Sequence, residues 1–380
     1  MQLAHGSGFR GCGALAWNAV SRGCTMLDRA RRWILRRSAA ASRLPPPRIE
    51  SAAQARAVRG SLEAFLARDE NRFRSLLLKA APLKPDDVER PWMEVLAAAG
   101  YVAATPSGNF RPCVRVFYLD DMFVATDLLA HDDEDQVFSL MLEQVFLVRS
   151  MDVRKGDHVL ELCLGSGVNA IAASRRGAGR VVGVDISQRA LTFAATNAAV
   201  NLSQERGLAP LERLRGNLFE PLPAGDRFDF IVVNPPFEPV PSDTEYFLRS
   251  HGGEDGLDIV RVLLPAVRDW LRPGGRFEMY TGTLGDTDSE RVSELAVAAF
   301  AGFCVEVRRV DRFPLEEVFA RFVDRPGYAA WRGRLTAQGL TYVWGVHVRA
   351  HREGPPGLVL VDAAAELRAC DAMVARWNKP

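Results

Sequence analysis

From about residue 157 the chain repeats one pattern: a short apolar run, a turn, then apolar positions at helical spacing. DHVLELCLG reads as a strand and VNAIAASRRG as a helix; RVVGVDIS is the next strand and SQRALTFAATNAAVNL the next helix, capped by Ser187. LERLRGNLF and FDFIVVNPP come next as third and fourth strands. LDIVRVLLPAVRDWL is a helix stopped by Pro273-Gly274-Gly275, and RFEMYTGTL is a fifth strand. Segments 303–311 and 340–350 are expected to close the sheet as an antiparallel pair, with 312–339 inserted between them. Apolar strands alternating with helices predict an α/β fold, a parallel sheet with helices on both faces.

The preceding residues have another pattern. Segments 61–80 and 91–102 carry apolar residues at helical spacing, the second stopped by Gly100, and 115–129 reads as two short strands around Asp120-Asp121. A small α+β N-terminal module, a cap or substrate-recognition element, is expected over 51–135, with the catalytic domain over 136–380. QVFSLMLEQVFLV (136–148) is apolar nearly all round and predicts a buried helix leading into that domain. Residues 1–50 read as a basic arm without fixed structure; a targeting presequence, or an over-long start with Met26 as the true one, would have the same composition.

Charge narrows the function classes. With 48 Lys+Arg against 47 Asp+Glu, a net charge of +1 gives no electrostatic reason for a phosphate-rich partner. The six cysteines form no CxxC pair and the six histidines no HxH or HExxH pattern, so neither a metal site nor a disulfide framework is expected. A reducing cytoplasm suits that usage. No apolar run is long enough to span a bilayer, and the oligomeric state leaves no sign in the pattern.

In open sheets of this kind, ligands bind beyond the carboxyl ends of the strands. That rule selects Gly165–Gly167, Asp185, Asn217 and Asn234–Phe237. GSGVNA after a strand, with Asp185 one strand later, also matches the dinucleotide fingerprint. On that evidence an NAD(P)-dependent oxidoreductase, or an inactive nucleotide-binding module, stands beside other readings. The run Asn234-Pro235-Pro236-Phe237 has a plain reading as a strand-ending turn.

Taken together, VLELCLGSG, VVGVDIS, GNLF and NPPF in this order resemble the class I S-adenosylmethionine-dependent methyltransferases. They most resemble the branch that includes the glutamine N5-methyltransferases and the amino-group DNA and RNA methyltransferases. HGGEDGLDIVRVLLPAVRDWLRPGG (251–275) is similar to the stretch just after the same tetrapeptide in the glutamine enzymes, and the resemblance spans roughly 135–300. It implies a Rossmann-like methyltransferase fold with a mostly parallel seven-stranded sheet, and S-adenosylmethionine as cofactor. It further implies that Gly165 and Gly167 pass close to the cofactor and that Glu161 helps to hold its methionyl end. Asp185 would grip the ribose hydroxyls, and Asn217-Leu218 would lie against adenine. Cys163 stands where a glycine is usual, and Asn217 where aspartate is commoner.

For the reaction, the Asn234 side-chain carbonyl and the Pro235 backbone carbonyl can both accept from an amino group, and Phe237 offers a face for stacking. That arrangement suits a nitrogen nucleophile. The acidic residues Glu238, Asp243, Glu245, Glu254, Asp255 and Asp258, together with the 312–339 insertion, suggest an enclosed site for a small amino-acid-like or natural-product acceptor. A protein glutamine, or an rRNA amino group, is the alternative acceptor.

Overall fold

The computed structural model describes residues 44–129, 133–203, 207–241, 244, 246–325 and 327–378. Residues up to 43 of the expected basic arm, and Asp243 and Glu245 of the acidic run, lie outside these. Described residues from Leu44 onward belong to one compact unit.

The first helix, α1 (Ala52–Arg68), begins earlier than the 61–80 periodicity predicts, because Ser51 caps it by accepting from the Gln54 N–H at 3.1 Å. Asp69 ends it and starts a further turn, Glu70–Phe73, with a π-turn after it over Arg74–Leu78. Helix α2 (Arg90–Ala98) ends before Gly100. Strands β1 (Val102–Ala104) and β2 (Phe110–Pro112) form one small antiparallel pair. β3 (Arg115–Leu119) and β4 (Met122–Thr126) form another. Asp120 and Asp121 both take positive φ, 46° and 63°, as a two-residue primed hairpin turn requires.

Helix α3 (Leu142–Ser150) starts six residues later than 136–148 predicts. Asp127 holds the intervening chain extended: its carboxylate accepts from the Val137 N–H at 2.8 Å, and its own N–H donates to the Val137 carbonyl at 3.0 Å. A pairing ten residues back along the chain thus overrides local helical preference.

The main sheet contains β5 (His158–Leu162), β6 (Arg180–Asp185), β7 (Leu211–Arg215), β8 (Phe228–Val233), β9 (Leu271–Gly285), β10 (Cys304–Pro314), β11 (Tyr342–His351) and β12 (Gly357–Asp362). Their order across the sheet is β12-β10-β11-β9-β8-β5-β6-β7. All neighbours run parallel except those of β11, which is antiparallel to both β9 and β10. Helices α4 (Val168–Arg175), α5 (Gln188–Leu202), α6 (Asp258–Trp270) and α7 (Val292–Ala299) supply the crossovers. Alternate side chains of the inner strands enter two different cores. Val159 and Val232 pack on one face, Leu160, Ile231 and Val233 on the other, all at 0 % exposure. A strand buried on both faces must be apolar at every position.

Two details correct the expected sheet. It has eight strands rather than seven: β12 adds parallel to β10 at the edge. Leu358 and Leu360 on β12 are 44 % and 50 % exposed, so no polar–apolar alternation marks it as a strand. The fifth strand also starts earlier, at Leu271, and carries Pro273-Gly274-Gly275 as an irregularity opposite Phe228–Phe230.

The 312–339 segment holds the end of β10, α8 (Leu315–Phe319) and α9 (Tyr328–Ala337). Phe319, Phe322, Trp331 and Leu335 form a small core of their own with Val240 and Leu284. The last helix, α10, runs Ala364–Asn378.

Candidate active site

The strand order reverses between β5 and β8, and in open sheets ligands bind beyond the carboxyl ends of the strands at such a point. The loop from β5 to α4 starts there. Gly167 has φ +77°, and a Cβ there would stand 3.0 Å from the Ala194 Cβ of α5. Only glycine meets both demands. Cys163 has φ +56°. That left-handed backbone explains why glycine is usual there; cysteine tolerates it at a cost of roughly 1–3 kcal/mol. Burial, then Asp185 and Glu161, hold its thiol far above the ordinary range.

Two carboxylates shape the loop. Glu161 is 2 % exposed and lies beneath it. One of its oxygens accepts from Asn169 Nδ2 at 2.8 Å and the other from the Ala170 N–H at 2.7 Å, at the start of α4. Burial pushes its pKa up to about 8. Asp185, at the end of β6, accepts from the Gly165 N–H and the Ser187 N–H, each at 2.8 Å. Burial raises its pKa, and these backbone bonds oppose the rise. Each Asp185 oxygen retains a second lone pair, as a carboxylate gripping a diol requires. Gly216 N–H donates to the Asp185 carbonyl at 3.1 Å, bringing the β7 turn beside the acid. In that turn Asn217 Nδ2 donates to Glu220 Oε1 at 3.3 Å, and Leu218 has φ +48°.

At the end of β8, Asn234 presents a buried Oδ1 that has no hydrogen-bond partner. Pro235 behind it is buried, and Phe237 is half-buried with its ring 6.1 Å from that of Tyr280. The chain just beyond is held by a short ladder. Glu238 N–H donates to Ser250 O at 2.7 Å, Gly252 N–H to Glu238 O at 2.9 Å, and Val240 N–H to Gly253 O at 2.8 Å. Gly256 has φ +82°, and a Cβ on it would lie 2.4 Å from the Phe237 carbonyl oxygen. The GGEDG run therefore fits the backbone of the tetrapeptide.

Sequence reasoning missed two positioning residues, Asn197 and Asn201 on α5, both 0 % exposed. Asn197 Oδ1 accepts from the Ala125 N–H at 2.8 Å, while its Nδ2 donates to Ala125 O at 3.0 Å and to Ser166 O at 2.9 Å. Asn201 repeats the pairing with the Phe123 N–H and carbonyl at 2.9 and 2.8 Å. Their amides act as an extra strand for β4 and tie the N-terminal hairpin to the glycine loop. Their spacing of four, which places both on one face of the helix, was the available signal.

The acidic run proves to be largely neutralised. Asp255 pairs with Arg261, and with Arg291 at 3.4 Å; Asp258 lies 3.4 Å from Arg261, and Glu254 bonds Arg334 at 2.7 Å. Glu238 accepts from the Tyr246 hydroxyl. Among the described residues, these acids fasten loops.

The fold and the rim define a Rossmann-like methyltransferase, and the comparisons with known proteins agree. Residues 140–240 match the family model described as ribosomal protein L11 methyltransferase (PrmA). A release factor glutamine methyltransferase of Geobacter sulfurreducens is 38 % identical over 166 residues, 40 % of this chain and 54 % of its own length. One of Moorella thermoacetica is 31 % identical over 230 residues, 58 % of this chain and 75 % of its own. A ribosomal protein uL3 glutamine methyltransferase of Bradyrhizobium diazoefficiens is 40 % identical over 129 residues, 31 % of this chain and 39 % of its own. The chain thus spans about half the length of the first of these relatives. It belongs to the class I S-adenosylmethionine-dependent methyltransferases, in the glutamine N5-methyltransferase branch, and its cofactor is S-adenosylmethionine.

These relatives overturn the expected small-molecule acceptor, since they are named for proteins as acceptors. The physical argument for that acceptor weakens as well: Glu254, Asp255 and Asp258 pair with arginines, and the aromatic residues of 312–339 are used in a core of their own. Among the described residues no helix is long and apolar enough to cross a membrane.

Proposed function

We propose that this protein methylates the side-chain amide nitrogen of a glutamine in a protein acceptor. The observation that carries this reading is the buried, unpartnered Oδ1 of Asn234 at the end of β8. A buried acceptor left without a donor costs about 1–3 kcal/mol, so a ligand that brings an N–H there recovers that energy. A primary amide brings two N–H groups. One would bond Asn234 Oδ1 and the other the Pro235 carbonyl, which fixes the plane of the amide.

S-adenosylmethionine, when bound, supplies a methyl group on a positively charged sulfur. Asp185 would accept from its ribose hydroxyls, Gly165 and Gly167 would leave room for its methionyl part, and Asn217-Leu218 would border adenine. Glu161 serves from beneath by anchoring the start of α4. Asn234 and Pro235 would hold the amide nitrogen toward that methyl group, and one N–H proton would leave to solvent once the nitrogen is methylated and the cofactor sulfur neutral. Asn234 and Pro235 are acceptors for a nitrogen becoming more positive, so they bind the transition state better than the ground state. Phe237 would cover the amide face and exclude water. Residues 51–135, tied to the glycine loop through Asn197 and Asn201, are proposed as the part that recognises the acceptor protein.

The test is methyl transfer from labelled cofactor to release factor and to ribosomal protein uL3, with the product peptide mapped by mass spectrometry. N5-methylglutamine is expected on at least one of them. Labelling confined to another residue type, or to RNA, would refute the reading.

A further inference from the structure

One face of the antiparallel part of the sheet is polar. Glu278 on β9 and His347 on β11 meet at 2.9 Å, and Arg349 reaches Glu278 at 3.2 Å. Toward the end of this face, Cys304 and His351 are direct register partners on β10 and β11, and Glu306 is two residues along from Cys304 on the same side. Each of these three side chains offers a ligand atom within 4.8 Å of the others. His351 Nε2 and Glu306 Oε1 are 3.2 Å apart. Nitrogen and oxygen ligands about 2.0–2.2 Å from one zinc ion at tetrahedral angles stand about 3.4 Å apart.

We propose that Cys304, Glu306 and His351 form a zinc site that clips β10 to β11. The site lies at the amino end of β10, which runs parallel to β8 through β9, and so at the sheet edge opposite the Asn234 rim. Three features support it besides proximity. Thiolate, imidazole and carboxylate together suit zinc better than magnesium or calcium. His351 Nδ1 is buried and has no hydrogen-bond partner, so no bond at that nitrogen fixes the tautomer against a metal on Nε2. Cys304 is 5 % exposed, whereas the Glu306 and His351 side chains are 24 % and 15 % exposed, which leaves an entry path and a fourth position for water. Arg349 approaches the other Glu306 oxygen at 3.4 Å and is shared with Glu278, leaving Oε1 toward His351. Burial, then Glu306, push the pKa of the free thiol up. Metal binding would release the thiol proton to solvent, so apparent affinity should rise with pH.

The experiment is a cobalt(II) titration of the chelator-treated full chain, with zinc competition afterwards. One equivalent of cobalt should bind with a thiolate-to-metal charge-transfer band, and zinc should remove the band. Cys304→Ala should abolish it, Cys370→Ala should leave it intact, and His351→Gln and Glu306→Gln should each weaken binding by at least about tenfold. Zinc should raise the melting temperature of the wild type and not of Cys304→Ala. No band in the wild type, or a band that survives in Cys304→Ala, overturns the proposal. If Cys304→Ala melts abnormally in chelator, His351→Gln decides, and unchanged affinity in that variant refutes the site.

Discussion

Asn197 contacts the loop after β5 and Asn234 follows β8, and their amides are used in opposite ways. Asn197 places its carbonyl and both of its N–H groups on backbone partners in Ala125 and Ser166. Asn234 keeps its carbonyl oxygen buried and unpartnered. A satisfied buried amide stabilises the fold, because water could not do better. An unsatisfied one destabilises it and persists where a ligand completes it. The two asparagines separate a polar group that holds the loop from one left open, where we propose that the nucleophile binds.

The sharpest way to break this contrast is Asn234→Ala. Removing one preorganised acceptor should lower kcat by about 10²–10³-fold. The melting temperature should not fall, since no internal bond of this oxygen is lost. Steady-state kinetics beside a thermal melt test both halves, and a large loss of stability would make Asn234 a structural residue. Asn197→Ala should do the reverse. It strands the N–H and carbonyl of Ala125 and the carbonyl of Ser166, so unfolding in urea should show a loss of roughly 2–3 kcal/mol. Cofactor affinity would then fall through a loosened glycine loop, and an unchanged urea midpoint would break the contrast from this side. Asn217 sharpens it by lying between the two, half-buried with one long side-chain bond of 3.3 Å. Asn217→Ala should change stability by no more than about 0.5 kcal/mol. By calorimetry it should weaken S-adenosylmethionine binding by about 1 kcal/mol, the value of an ordinary hydrogen bond.

The strand–helix alternation, the glycine turn, the acid that ends β6 and the tetrapeptide after β8 were all legible from residue order. Each is written in a few consecutive residues: a doubly buried strand must be apolar throughout, and a left-handed turn favours glycine. The same local logic reads Asp120-Asp121 as a hairpin turn, and both residues do adopt positive φ. Where distant chain intervenes, it fails. Residues 136–141 have the composition of a helix, yet Asp127 holds Val137 in an extended pairing. The acids after Phe237 have the composition of an open negative mouth, yet Arg261, Arg291 and Arg334 pair with them. β12 escapes notice because an exposed edge strand leaves no alternation to read.

Backbone conformational preference and the burial period of each element are properties of neighbouring residues, so the linear order of this chain already contains its α/β architecture and the places where a nucleotide cofactor could bind. The state of each polar group is a property of what lies across space. Only folding brings Ala125 to Asn197, Arg334 to Glu254 and His351 opposite Cys304. Only folding leaves Asn234 Oδ1 with nothing. Hydrogen bonds and ion pairs act over a few ångströms between residues tens to hundreds of positions apart, so residue order can name the groups while tertiary structure decides which of them remain free for chemistry.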